Sequence, residues 1–188
     1  MGSATPFRSE APSALPRRVF LCALAVLARA AAGQPAAPAL RRALQRAPGV
    51  AEGRQGPWVH VFFDLRCPVC ALLHRRSRAG LRAGAVRLHW IPVALLGAAS
   101  LDAAARLLGS DDLPGALARA LAPGAGSSGR ALPAHRAQVE ANTALLRLLG
   151  GPQPATPSLV FEDERGGLVW EVGLPPRWGG EAWERGLR

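Results

Sequence analysis

The stretch Trp58–Arg76 reads WVHVFFDLRCPVCALLHRR, and its reading decides the fold. In its first half Val59, Val61 and Phe63 point one way, and His60, Phe62 and Asp64 the other. Both sets are largely apolar, which predicts a central strand over Trp58–Asp64. Cys67-Pro68-Val69-Cys70 follows, and a helical pattern then runs to about Ala83, with Ala71, Leu72, Leu73 and Leu81 on its buried side. Pro68 suits the first helical position, where a backbone N–H has no intrahelical partner to lose. A strand that delivers Cys-x-x-Cys to a helix start is suited to thiol–disulfide exchange. The free amides and positive dipole end lower the pKa of the first thiol, Cys67, which is expected as nucleophile. Cys70, one turn further in, is expected as the resolving thiol that attacks a mixed disulfide. Pro68 stiffens the segment. The Val69 side chain offers the thiolate no hydrogen bond or charge, which predicts a less oxidising site than one with His there.

Upstream of this stretch the chain reads as an address. A basic segment ends at Arg17-Arg18, an apolar run of about ten residues covers Val19–Ala28, and Ala30-Ala31-Ala32 precedes Gly33. That is the order of a cleaved export signal, over residues 1–33. The run is short of the ~20 residues that span a membrane. Arg17-Arg18-Val19-Phe20-Leu21 is also similar to the twin-arginine export motif. Cys22 lies inside the apolar run and is expected to leave with the signal, so the mature chain keeps two cysteines of the three. A pair this close constrains the unfolded chain little, so chemistry explains it better than stapling does. Residues 34–57 read as a linker with a short helix over Ala39–Ala47, ended by Pro48-Gly49.

Downstream, Val86–Val93 predicts a second strand, parallel to the first because a helix connects them. Helical patterns follow over Leu101–Leu108, Leu113–Leu121 and Leu132–Leu149. In the last, His135, Val139, Asn142, Leu146 and Leu149 recur on one face. Pro157–Asp163 and Leu168–Val172 alternate as strands about a turn at Glu164–Gly167, and Gly180–Leu187 predicts a short terminal helix. The expected fold is α/β: a thioredoxin-like domain over residues 58–188, with a helical insertion at about 97–150 between the βαβ unit and the C-terminal ββα unit.

The formal net charge is +10, and all 23 basic residues are Arg. Four of these against one Glu in residues 1–33 give +3, leaving +7 spread over the rest. No basic patch with interleaved aromatics stands out, so nucleic acid is not expected as a partner and the Arg side chains read as a solvated surface.

The segment FFDLRCPVCALLH resembles the active-site segment of the DsbC/DsbG type of periplasmic disulfide isomerases. Asn142 ahead of Ala155-Thr156-Pro157, and SLVFEDERGGLVWEVGLPP after it, are similar to that family's Thr-Pro loop and closing hairpin. The resemblance covers roughly Trp58–Pro176. It implies a cis peptide bond before Pro157 and a backbone at Thr156 turned outward to bind an extended substrate. It also implies cysteine-containing exported proteins as substrates, a membrane electron donor of the DsbD type and a periplasmic location. No cofactor is implied. The 24 residues of 34–57 are too few for the family's N-terminal dimerisation domain, so a monomer is expected.

The expected function is that of an exported thiol-disulfide oxidoreductase of the reductase or isomerase type. Sulfenic-acid reduction and DsbA-like oxidation by the same cysteines are the alternatives. Remoter readings are a non-catalytic module gripping unfolded chains and a zinc site on Cys67, Cys70 and His74. The latter needs a fourth ligand from His60, His89 or His135. Asp64 reads either as a proton relay in resolution or as a cap of the coming helix. Asn142 reads as a satisfied core amide or a site residue, and His74 as a packing, surface or catalytic group.

Overall fold

The computed structural model describes residues 37–124, 126–176 and 178. Helix α1 (Ala37–Arg46) leads into a short strand β1 (Val50–Glu52), then β2 (Trp58–Phe63), α2 (Pro68–Ala83) and β3 (Arg87–Pro92). Helices α3 (Ala98–Leu108), α4 (Leu113–Ala120) and α5 (Pro133–Gly150) come next, followed by β4 (Ser158–Glu162) and β5 (Leu168–Val172). The predicted helix at Gly180–Leu187 and the export signal lie outside the described residues.

The strands form one five-stranded sheet in the order β1-β3-β2-β4-β5. β2 and β3 run parallel, with His60 beside His89 and Phe62 beside Ile91. β4 is antiparallel to β2 and to β5, and β1 is antiparallel to β3. Thus β2 is central, as its two apolar faces demand. Val59, Val61 and Phe63 pack with Cys70 and Leu73 of α2 on one face, joined by Leu117 of α4. Phe62 and Ile91 pack with Leu44 of α1 and Leu146 of α5 on the other. Phe62 and Phe63 are fully buried, each contributing ~1.5–3 kcal/mol by removal from water.

α2 has Pro68 in its first turn and ends at Gly84 in the left-handed region, φ 72°. There the Ala85 amide returns to the Gly80 carbonyl at 2.9 Å, a closure that favours glycine. Its buried residues are Cys70, Leu73, His74, Ser77 and Gly80. Leu73 is fully buried as expected, and Ala71 and Leu81 pack half-buried against the same cluster, whereas Leu72, also expected on that side, is half-buried and not part of it. The difference arises because one stripe runs through Cys70, Leu73, His74 and Ser77 at helical spacing, and the polar His74 and Ser77 obscured it in the sequence.

β1 is a further difference. Val50–Glu52 falls in the stretch read as linker, yet it pairs with β3 in the sheet. Three residues carry too little alternation to be read as a strand. The packing of Gly49 against this edge is close: a Cβ there would lie 2.4 Å from the Trp90 carbonyl oxygen.

Candidate active site

Cys67 occupies the N-cap position of α2 in an extended conformation, φ −85° and ψ 115°. It is set there by a tight turn in which its amide donates to the Asp64 carbonyl at 3.0 Å. Its own carbonyl accepts from the amides of Cys70 at 3.1 Å and Ala71 at 3.3 Å. Both cysteines are free thiols. Cys67 is 8% exposed and Cys70 is fully buried, so a disulfide partner reaches the first and not the second.

The loop before β4 supplies the opposing wall. The Thr156–Pro157 peptide bond is cis. The Pro157 carbonyl accepts from the Gly173 amide at 2.7 Å, and the Ser158 hydroxyl donates to Ala155 O at 2.7 Å. These bonds hold the Thr156 carbonyl 3.3 Å from Cys67 Sγ, which donates to it when protonated.

The electrostatics of the two thiols diverge. Cys67 is lowered to about 5, first by a hydrogen bond from the Cys70 thiol; burial opposes this, while the Cys70 and Val69 amides and the Thr156 side chain add to it. The helix N-terminus therefore acts through particular amides, and Val69 contributes by its backbone although its side chain, 39% exposed, does not. Cys70 is pushed up, chiefly by burial and then by its hydrogen bond and charge interaction with Cys67. One thiol is thus ionised at neutral pH while the other keeps its proton.

Asp64 is fully buried. Its Oδ1 accepts from the Arg66 amide at 2.9 Å and the Ser100 hydroxyl at 2.8 Å. Its Oδ2 accepts from the amides of Leu95 at 2.9 Å and Leu96 at 3.1 Å. The carboxylate therefore clamps the turn after β3 to the segment leading into the cysteines. It does not cap α2, whose N-cap is Cys67 and has no side-chain cap bond.

Asn142 is buried and its Nδ2 donates to Pro48 O at 2.9 Å and Pro92 O at 3.0 Å. It ties α5 to the sheet, as a satisfied core amide does, and these two bonds do not bring it to the cysteines. Thr143 extends the same tie: its hydroxyl accepts from the Ala94 amide at 3.0 Å and donates to Val139 O at 2.7 Å.

His74, one turn beyond Cys70, is buried. Its Nε2 lies 3.5 Å from Glu52 Oε2, and its ring meets Trp90 edge-on with centroids 5.3 Å apart. Glu52 accepts from Arg78 Nη2 and from Trp90 Nε1, each at 2.8 Å. Burial raises the Glu52 carboxyl, but the hydrogen-bonded, charged Arg78 and the facing imidazole of His74 outweigh it, and the net shift is downward. Among the described residues no three His, Cys, Asp or Glu side chains gather as a metal-binding group. Glu52 and Ser100 were not legible as site residues. Glu52 sits on a strand too short to read, and Ser100 meets Asp64 only through the fold.

At the other end of β2, α1 and the sheet border a cavity of about 740 Å³ lined by Arg41, Trp58, His60, Arg87 and His89, among others. His60 and His89 meet Nδ1 to Nδ1 at 3.1 Å. Burial lowers both rings, His60 to about 4 with the charge of His89 assisting. This pair belongs to the opposite sheet face from Cys70.

No protein-family model matches this chain, and no curated protein matches it. Solved structures do. A periplasmic thioredoxin-like protein from Salmonella enterica serovar Typhimurium aligns over 81% of this chain and 97% of its own, with TM-score 0.65 and 18% identity. ScsC of Proteus mirabilis in a compact conformation aligns over 84% of each chain, with TM-score 0.61 and 17% identity. A disulfide interchange protein from Neisseria gonorrhoeae aligns over 73% of this chain and 94% of its own, with TM-score 0.56 and 25% identity. The fold is thioredoxin-like, as the order of elements predicted.

Proposed function

We propose that this chain is an exported thiol-disulfide oxidoreductase acting on cysteines of extracytoplasmic proteins, of the reductase or isomerase type. The observation that carries the reading is the placement of Cys67: an N-cap thiol facing the Thr156 carbonyl at 3.3 Å, above a fully buried Cys70. In this reading Cys67 attacks a substrate disulfide as the thiolate and forms a mixed disulfide. Cys70 then gives up its proton and attacks Cys67 Sγ, releasing the substrate thiol. Thr156 and Pro157 bind an extended substrate segment against the active site. Pro68 and the Val69 amide shape the helix start, Asp64 holds the segment leading into it, and Asn142 ties α5 to the sheet.

Structural neighbours described as periplasmic, thioredoxin-like or disulfide interchange proteins support the compartment and the chemistry. Among the described residues no helix is long and apolar enough to cross a membrane. We assign the chain to the periplasm, as a DsbC/DsbG-like catalytic unit acting as a monomer and re-reduced by a membrane donor of the DsbD type.

One observation favours a second reading. A Cys67 thiol lowered to about 5 stabilises the reduced pair, and a pair stabilised when reduced donates its disulfide readily. That favours a DsbA-like oxidase over the less oxidising site expected from Val69. The test is the redox state of the pair in cells, read by alkylation with a mass-tagged maleimide in wild type and Cys67→Ser. A mostly reduced pair supports the reductase or isomerase, and a mostly oxidised one the oxidase. Full exchange activity in Cys67→Ser sinks both.

A further inference from the structure

Reduction of a Cys67–Cys70 disulfide to a thiolate and a thiol leaves one proton to be placed, and the buried carboxylate nearest in sequence is already committed: Asp64 accepts from four donors. A second buried titratable group lies on the same helix face. Cys70 and His74 are four residues apart in α2 and both belong to its buried stripe, a spacing that leaves ~5–6 Å between Cβ atoms. His74 Nε2 is the one buried side-chain nitrogen or oxygen among the described residues without a hydrogen-bond partner. Such an atom calls for an explanation. It faces Glu52 Oε2 at 3.5 Å, and Glu52 cannot turn away without giving up Arg78 and Trp90.

We propose that the Glu52–His74 pair is a proton-linked positioning device for the cysteines: His74 takes up a proton when the Cys67–Cys70 disulfide is reduced and releases it when the disulfide re-forms. The inference rests on the exchange chemistry proposed above. An external dithiol, or two glutathione molecules, supplies two electrons and two protons and becomes a disulfide. The Cys67–Cys70 bond breaks, Cys67 leaves as thiolate and Cys70 takes one proton. The second proton goes to His74 Nε2 instead of to solvent.

The surroundings of His74 make the thiolate the deciding charge. Glu52 faces it from β1, with Arg78 of α2 bound to that carboxylate. These two opposite charges offset one another. From β3 it meets the Trp90 ring, which does not titrate. On its own helix Cys70 lies one turn back, with Cys67 at the cap. A thiolate created in this poorly screened interior favours the imidazolium, and by reciprocity the imidazolium favours the reduced pair.

The test is the equilibrium constant for reduction by glutathione between pH 6 and 8, in wild type and His74→Gln. Without uptake at His74, one proton is released per reduction, so the constant rises about tenfold per pH unit. His74→Gln is expected to follow that slope throughout, while wild type flattens over the interval in which His74 retains the proton. The wild-type and variant constants, matched at one end of the range, are expected to differ by about tenfold at the other, or about 30 mV for a two-electron couple. Identical slopes overturn the proposal. NMR titration of the His74 ring in wild type, oxidised and reduced, provides a check that needs no variant: a higher midpoint in the reduced protein is expected, and equal midpoints overturn it. Failure of wild type to equilibrate with glutathione at all would instead count against the exchange chemistry itself.

Discussion

Cys67 Sγ lies 3.3 Å from the carbonyl oxygen of Thr156, 89 positions further along the chain. That contact places the exposed edge of the proposed nucleophile against the backbone proposed to pair with an extended substrate, while Cys70 lies with no exposure. Replacing Cys70 with Ser removes the proposed resolving thiol and leaves the proposed nucleophile in place. Such a variant is expected to accumulate mixed disulfides with exported proteins, visible as high-mass bands on non-reducing gels that collapse with dithiothreitol. Cys67→Ser should show none, and equal trapping by both variants would contradict the assignment of roles.

The thiol at position 67, lowered to about 5, should titrate far below an ordinary cysteine. The rate of its alkylation by iodoacetamide in the reduced protein is expected to be flat from pH 7 upward, half-maximal near pH about 5, and about tenfold lower per pH unit below that. The sign for stability follows. A folded-state pKa below the unfolded value stabilises the reduced fold above the ordinary thiol range and loses that contribution as pH falls through about 5. The oxidised protein lacks the thiolate and should lack this part of the profile. A half-maximal rate near pH 8 would remove the electrostatic account of the site.

Asp64→Ala leaves the Leu95 and Leu96 amides, the Arg66 amide and the Ser100 hydroxyl without their acceptor. The expected loss is roughly 2–4 kcal/mol in urea unfolding, with Asp64→Asn losing less because its amide oxygen still accepts. If Asp64 is chiefly a clamp, the variant that stays folded should keep the pH profile of Cys67 alkylation. A displaced profile with unchanged stability would restore the proton relay.

These residues show what was legible and what was not. The strand–Cys-x-x-Cys–helix unit could be read because Trp58–Ala83 carries its own periodicity, its own N1 proline and its own chemistry. The Thr156–Pro157 wall was reached through resemblance, since no local pattern says which distant carbonyl will face Cys67. Asn142 was recognisable as a core amide on an apolar face and Asp64 was read as a relay or a cap, but their partners Ser100, Leu95, Pro48 and Pro92 are supplied from elsewhere in the chain. Glu52 escaped because a three-residue edge strand has no period to detect. The stripe of α2 was misjudged for a related reason: His74 and Ser77 are buried polar residues, satisfied or paired only after folding.

The imidazoles of His60 and His89 sit side by side in the parallel register of β2 and β3, Nδ1 to Nδ1 at 3.1 Å. Burial lowers both, with the His89 charge pressing His60 further, to about 4. Here the folded state binds fewer protons than the unfolded chain between about pH 4 and the ordinary histidine range. Stability should therefore rise with pH across that window and be lost as pH falls through it, by at most about 1.4 kcal/mol per pH unit for each group. His60→Phe removes one titrating ring and the hydrogen bond with it. The variant is expected to start from a lower melting temperature at pH 7 but to lose less on acidification to pH 4.5, followed by circular dichroism. A variant that keeps the full acid slope of the parent would show that the window belongs to other groups.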